Sequence, residues 1–507
     1  MDEIMASKKS LNVLFIFSDQ HRWSALNCYG NAEVISPAFD RMAEEGVRFT
    51  HAMSSCPVCA PVRTTLQTGL HAHQHNVRGN QSPWVGQHFR SLADYFNDAG
   101  YETCFIGKAH WGKYMFYDMK WKGGFVPPER RLRWKHWLST EGHVQYGEKV
   151  YDDAGEVLFD GTGVPEATFE TGLAFDFIRQ CGDKPWIAHL DWGPPHTIQP
   201  GPTVKYNDEY YARGRQLNRD MGFNLPDELF VEKDPRLKLL MPQSLLFDIV
   251  PQRFLDMYDV DSITVDPNVP EQYRKLARYH YHEYYALITS LDEELARIFE
   301  FLRQTGHDRD TLVVYTSDHG DRIAAHCTLE KFRTKSSPHQ NSLRVPLMFW
   351  GPGLGVGQGK VNQTPFSSVD FMPTLLDCIG VPVDVHLPGE SLKNCFMGEC
   401  REMERHVLLS LDPWRAITDG RYLYAIRSEA KAGPVPVSTR KHAVPPAWTP
   451  IHLIDMQEDP YDMQNLLEKP ELQAVRERLH TELVRQLIAT SDHDFVLRTG
   501  LKQRELF

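Results

Sequence analysis

A three-layer α/β domain with a mostly parallel central sheet, followed by a smaller α+β domain, is the fold this sequence predicts, and three observations predict it. Two continuous apolar runs, Leu11 to Phe17 and Thr311 to Thr316, each stop at polar residues that include an aspartate, as buried parallel strands do at their carboxyl ends. Helical patterns such as Pro37 to Gly46 and Ser91 to Gly100 lie between them, and each stops at a glycine. After about Gly398 the pattern changes to short strand-like pieces, Trp414 to Ile426 and His452 to Ile454, and then to a helix-like stretch from Glu471 to Ala489. The expected division is therefore residues 1–400 for the large domain and 401–507 for a C-terminal subdomain with a small antiparallel sheet and a tail.

Taken in order, the first run ends at Ser18-Asp19-Gln20-His21 and the second at Ser317-Asp318-His319-Gly320-Asp321. Ligands in open α/β sheets bind beyond the carboxyl ends of the strands, so Asp19 and Asp318 are expected to share one crevice. The stretch from about Gly201 to Pro270 reads as an irregular insertion forming a substrate wall, and Lys431 to Pro450 as a proline-rich loop. The basic, aromatic run Arg130 to Trp137 has two readings: a pocket mouth for an anionic or sugar substrate, or a solvated face with tryptophans packed beneath it.

With 507 residues and 41% hydrophobic content the chain can bury a large core, so disorder is excluded. A formal net charge of -12 gives no global attraction to nucleic acid or to an anionic membrane, so an anionic substrate must be gripped by local cations. Nine cysteines without small-domain spacing read as reduced thiols. The apolar stretch Val13 to Phe17 is too short for a signal segment or a membrane span. The expectation is a cytoplasmic protein, periplasmic or secreted if a leader was removed, without membrane or nucleic-acid partners. The tail Asp494 to Phe507 is expected to pack on a neighbouring subunit of a homo-oligomer.

The stretch that carries chemistry is Ser55-Cys56-Pro57-Val58-Cys59-Ala60-Pro61-Val62-Arg63, continuing to Thr68-Gly69. Pro61 suits a first helical turn and Gly69 a helix end, which puts Cys59 at a helix amino terminus where unpaired N–H groups favour an anion. Arg63, one turn on, lies near the same face and supplies a fixed cation to the substrate oxyanion or to the nucleophile. Taken alone, a free cysteine is more often a small buried hydrophobe, and Cys56 is read as structural.

Cys59-x-Pro61-x-Arg63 with Thr68-Gly69 resembles the signature of the sulfatase family, in which the cysteine is oxidised to formylglycine by a maturation enzyme. Gly100-Tyr-Glu-Thr-Cys-Phe-Ile-Gly-Lys108-Ala-His110 resembles that family's second signature at every fixed position. Alternation along an extended chain would bring Lys108 to a sulfate oxygen and His110 to the nucleophile's second hydroxyl. Gly193-Pro194-Pro195-His196 is similar to the element that sets a histidine near the leaving group. Lys335, in the block ending Arg344-Val-Pro-Leu, is similar to the lysine that clamps the substrate, with Lys331 as its competitor. Asn80 falls where some relatives, phosphonate monoester hydrolases among them, set a polar group on the substrate anion.

What the resemblance implies is an alkaline-phosphatase-like fold and hydrolysis of a small-molecule sulfate ester, with one divalent metal held by Asp19, Gln20, Asp318, His319 and residue 59. Ca²⁺ is the ion expected by resemblance, and Mn²⁺ is the alternative. Asp19-Gln20 replaces the two adjacent aspartates of many sulfatases and His319 a frequent asparagine, which softens the site. Those two replacements also favour a phosphonate monoester or phosphodiester hydrolase on the same scaffold, while Gly107-Lys108-Ala109-His110 favours sulfate. A third reading is an inactive anion-binding homologue with an unmodified Cys59.

Overall fold

The computed structural model describes residues 10–80, 82, 88–111, 124–142, 149–160, 164–196, 208–226, 230, 241–246, 250–327, 335–428, 448–492 and 495. Its strands are β1 Asn12–Asp19, β2 Val47–Phe49, β3 Ala52–Met53, β4 Glu102–Lys108, β5 His136–Thr140, β6 Val150–Tyr151, β7 Val157–Phe159 and β8 Trp186–Pro195. They continue as β9 Thr311–Ser317, β10 Leu347–Trp350, β11 Lys360–Asn362, β12 Phe366–Ser367, β13 Val407–Leu411, β14 Trp414–Thr418, β15 Tyr422–Ser428 and β16 Trp448–Asp455. The helices are α1 Pro37–Glu45, α2 Cys59–Thr68, α3 Ala72–His75, α4 Leu92–Asp98, α5 Glu166–Cys181 and α6 Asp208–Met221. Then come α7 Gln252–Leu255, α8 Arg274–Thr305, α9 Gln340–Leu343, α10 Phe371–Cys378 and α11 Gln473–Ala489.

Ten strands form one sheet in the order β11-β2-β10-β9-β1-β8-β4-β5-β6-β7, and its middle, β9-β1-β8-β4-β5, is parallel throughout. β1 explains the layering. All eight of its residues are buried because both faces are covered, and period-two alternation sends them to different layers. Leu14 and Ile16 join a core closed by α1, α5 and α8, whereas Val13, Phe15 and Phe17 join one closed by α4 and α10. Each such fully buried apolar side chain contributes about 1.5–3 kcal/mol.

The C-terminal sheet, in the order β13-β14-β15-β16, is antiparallel and also two-faced. Val407, Leu409 and Ala416 pack on Cys56, Val58 and Ala72 beside α2, while Leu408, Ile417 and Tyr424 receive Leu479, Leu483 and Leu487 of α11. Those leucines recur every four residues, which keeps them on one helix face. Ser91 caps α4 by accepting from the Asp94 N–H, and α1 stops at Gly46 as expected, whereas α4 ends at Asp98 with Ala99 as its cap, just before the expected Gly100. The expected irregular insertion contains α6 and α7. Most of the proline-rich loop, Lys331 and all of the tail except Phe495 lie outside the described residues. In the basic run, Trp134 and Trp137 are buried while Arg133 and Lys135 are exposed, which selects the solvated face with tryptophans beneath. None of the nine cysteines forms a disulfide. No helix among the described residues is long and apolar enough to cross a membrane.

Candidate active site

Helix α2 is buried along its whole length, so its sequence is constrained by more than helix propensity. Val58 leads in with extended backbone and offers no side-chain cap, and Gly69 closes the far end in the left-handed conformation with its N–H on the Thr65 carbonyl. The missing cap is supplied from elsewhere: Asn80 Oδ1 accepts from the Ala60 N–H at 3.1 Å. Cys59, the first helical residue and 1% exposed, thus sits at the positive end of a buried helix.

The parallel strands bring the acids there. Ser18 of β1 pairs with Ser317 of β9, which sets Asp19, the last residue of β1, beside Asp318, the first residue after β9. The chain then turns sharply at Gln20, whose φ of 68° is unusual for a residue with a side chain. The turn is pinned by the Gln20 N–H donating to Asp318 Oδ1 at 2.8 Å and by the Tyr284 hydroxyl donating to the Gln20 carbonyl at 2.6 Å. Close approach also fixes two glycines. A Cβ at Gly107 would collide with the Asp191 carbonyl, and one at Gly320 with the Asn341 carbonyl.

Around Cys59 Sγ stand His319 Nε2 at 3.2 Å, Lys335 Nζ at 3.1 Å and Asp19 Oδ1 at 3.9 Å. In the other direction Lys335 Nζ donates to Gln20 Oε1 at 2.9 Å, and Gln20 Nε2 donates to Asp321 Oδ2 at 2.7 Å. Lys108 Nζ pairs with Asp19 Oδ2. Arg63 is engaged by three acids. Its Nη2 donates to Asp19 at 3.1 Å, its Nη1 pairs with Asp191, and its Nε lies 3.4 Å from Asp318 Oδ2. It therefore braces the carboxylates that surround residue 59.

These contacts explain the electrostatics. Burial and Asp19 push the Cys59 thiol up, but Lys335, Lys108 and His319 outweigh them and hold it well below the ordinary thiol range. Burial, joined by Asp19, pushes Asp318 up to about 6. Burial also pulls His110 down to about 4, so its ring is neutral near pH 7. His110 lies against the Cys59 thiol, yet neither of its ring nitrogens makes a hydrogen bond of ordinary geometry. Its φ of 47° breaks the extended alternation expected beyond Lys108 and turns the ring toward the site by a backbone bend.

A divalent cation fits this donor set. Ligand atoms of Asp19, Cys59, Asp318 and His319 lie within 4.8 Å of one another, all buried. Asp318 Oδ2 is buried without a hydrogen bond. His319 Nδ1 donates to the Gly320 carbonyl at 2.9 Å, so Nε2 is the ring nitrogen that faces the cluster and would take the cation on losing its proton. The set mixes carboxylates with an imidazole.

Of the expected residues, Asp19, Gln20, Cys59, Arg63, Asn80, Lys108, His110, Asp318, His319 and Lys335 converge here. His196 is placed by register: Pro195 of β8 lies opposite Asp19, and half-buried His196 follows it. Sequence reasoning missed Asp191, which follows the apolar run Trp186 to Leu190 just as Asp19 follows its own run. It also left Asp321 unassigned, although Asp321 orients Gln20.

The sulfatase family model matches residues 11–381, and the model for the C-terminal part of N-sulphoglucosamine sulphohydrolase matches residues 331–489. The chain is 26% identical over 493 residues to an ulvan-active sulfatase of Formosa agariphila, covering 95% of this chain and 82% of that protein. A solved structure described as being in complex with its substrate D-glucosamine-2-N,6-O-disulfate is similar with a TM-score of 0.68 at 20% identity, covering 96% of this chain and 99% of that one. The phosphonate monoester hydrolase of Agrobacterium radiobacter is similar with a TM-score of 0.61 at 22% identity, covering 95% and 96%.

Proposed function

This chain belongs to the sulfatase family and is a sulfuric-ester hydrolase, and from that premise we propose that residue 59, after oxidation of Cys59 to formylglycine, is the nucleophile that opens a small-molecule sulfate monoester. One observation carries the reading. Cys59, the first residue of the helix in the signature stretch, stands within 3.2 Å of both Lys335 and His319, beside the two strand-end aspartates.

Asp19, Asp318 and His319, with Gln20 and residue 59, would hold the divalent cation, Ca²⁺ first and Mn²⁺ as the softer alternative. When bound, such an ion lowers the pKa of a neighbouring hydroxyl and draws charge from the sulfate oxygens. Lys108 and Lys335 already face residue 59, so their ammonium groups receive the non-bridging oxygens without reorganisation. Arg63 pairs with Asp19 and Asp318, holds them in place and offsets part of the burial that pushes Asp318 up. His110, neutral because it is buried, is available to take the proton of the second hydroxyl on residue 59. His196, at the neighbouring strand end, is assigned to protonate the departing alcohol. Nine cysteines without a disulfide support a cytoplasmic location.

A second reading, phosphonate monoester or phosphodiester hydrolysis, is favoured by Gln20 and His319 in the donor set. Kinetics of the matured protein on an aryl sulfate and an aryl phosphonate monoester decide between them. The expected result is a higher kcat/KM for the sulfate, and a large preference for the phosphonate would reverse the assignment.

A further inference from the structure

Lys335, unlike Arg63 of α2 and Lys108 of β4, stands on no regular element. Its ammonium is a compact charge on a flexible stem, so its usefulness depends on where its backbone is held. Among the described residues, part of what holds that backbone comes from outside the α/β layers. The indole N–H of Trp414, at the start of β14, donates to the Ser336 carbonyl at 3.2 Å, one residue after Lys335. Asp462, 5% exposed and just past β16, accepts from the Gln340 N–H and from Gln340 Nε2, each at 2.7 Å. The Asp459 carbonyl accepts from the same Nε2 at 2.9 Å. Between these two anchors the His339 ring packs 5.0 Å from His452 of β16. Within the segment, the Ser337 hydroxyl bonds to the Ser342 hydroxyl at 3.0 Å, which ties α9 to the residues before it.

We propose that Trp414 and Asp462 are positioning residues of the hydrolytic site, through which the C-terminal sheet and the loop after it hold Lys335 against residue 59. The inference rests on the hydrolase reading for the meaning of Lys335, but its geometry does not. Neither Trp414 nor Asp462 approaches the nucleophile in a hydrogen bond, and each acts on the chain that carries the lysine. A buried pair of acceptor bonds from one carboxylate to one glutamine is a specific latch, because Asn in place of Asp must turn a donor toward a donor. The C-terminal sheet is thus part of the catalytic apparatus as well as a packing layer.

The test is a double-mutant cycle with Lys335→Ala. Trp414→Phe retains the ring and loses only the N–H, and Asp462→Asn retains volume and loses one acceptor. In the parent protein, Asp462→Asn is expected to lower kcat/KM for an aryl sulfate by about tenfold and Trp414→Phe by roughly threefold, the scale of coupled neighbours. In the Lys335→Ala background both effects should shrink to within about twofold. Equal losses in both backgrounds, or no loss in the parent, would overturn the proposal, since a merely structural role lowers both alike. Calorimetric titration with inorganic sulfate gives the same cycle from binding if Lys335→Ala has no measurable turnover. It also separates the two claims: a parent protein that hydrolyses no sulfate ester but whose sulfate affinity shows the same coupling retains the latch and loses the hydrolase reading.

Discussion

The two ends of helix α2 solve the same problem in opposite ways. At the Cys59 end, buried ionisable groups are matched to opposite ones: Arg63 meets Asp19, Asp191 and Asp318, and Lys108 meets Asp19, while burial still pushes Asp318 up to about 6 and Asp191 well above the usual carboxylate range. Past the Gly69 end, His71, His73 and His75 are equally buried, and burial pulls them down to about 3, 4 and 3, so they stay neutral. His75 accepts from the Val77 N–H through Nδ1 and meets Thr65 Oγ1 at 3.1 Å through Nε2, a pattern that assigns the proton to Nε2. The His71 and His73 rings stack at 5.3 Å. Charge is retained in the interior only where partners converge, and there it forms a preorganised receptor for an anion. Where partners do not converge, the protein gives the charge up, which leaves a part of its interior sensitive to acid.

The largest effect expected of a single substitution is that of Arg63→Ala. It would leave Asp19, Asp191 and Asp318 facing one another without their shared cation, and unfolding in denaturant should show a loss of about 3–5 kcal/mol. A loss below about 1 kcal/mol would mean the charges are not held as an interdependent set.

Acid probes the other end. An unfolded histidine takes up its proton near 6.5, whereas His21, His71, His75 and His189 do so near 3, and His73 and His452 near 4, burial being the main cause in each. The folded pKa lies below the unfolded one, so the unfolded chain binds more protons in between. Stability should therefore be full above about 6.5 and fall as the pH drops toward about 4, by up to about 1.4 kcal/mol per pH unit for each group. Urea midpoints at pH 7 and pH 5 measure it, and equal midpoints would show that these histidines are not held neutral.

The smallest effect expected is that of Asn80→Ala. Loss of the acceptor for the Ala60 N–H should reduce stability by about 1 kcal/mol. A larger drop in turnover than in stability would return Asn80 to the substrate-contacting role that its sequence position suggests.

The parallel layers and most of the site were legible in the sequence because each rests on a local pattern. β1 and β9 are apolar runs ending in acids, and the helix starting at Cys59 is bracketed by Pro61 and Gly69. Lys335 could be placed by counting back from Arg344-Val-Pro, and its contact with residue 59 follows that count. What was not legible depends on pairing between distant segments. Asp191 looks like part of an apolar strand until β4 and β8 meet and Arg63 reaches across. The bend at Gln20 and the bend at His110 override extended patterns because tertiary hydrogen bonding and packing at the crevice, not local preference, set those dihedrals. The anchoring of Lys335 by Trp414 and Asp462 spans more than 75 residues of sequence and has no local signal.

The central claim, that residue 59 is the nucleophile, is tested most directly by co-expressing the chain with a formylglycine-generating enzyme, weighing the peptide Phe49 to Arg63 and measuring aryl sulfate turnover on the same sample. The account predicts that the mass of formylglycine appears at residue 59, that turnover rises in proportion to it, and that Cys59→Ala abolishes turnover while the protein still folds. Full turnover by Cys59→Ala, or complete conversion without turnover of a sulfate or phosphonate ester, would contradict it.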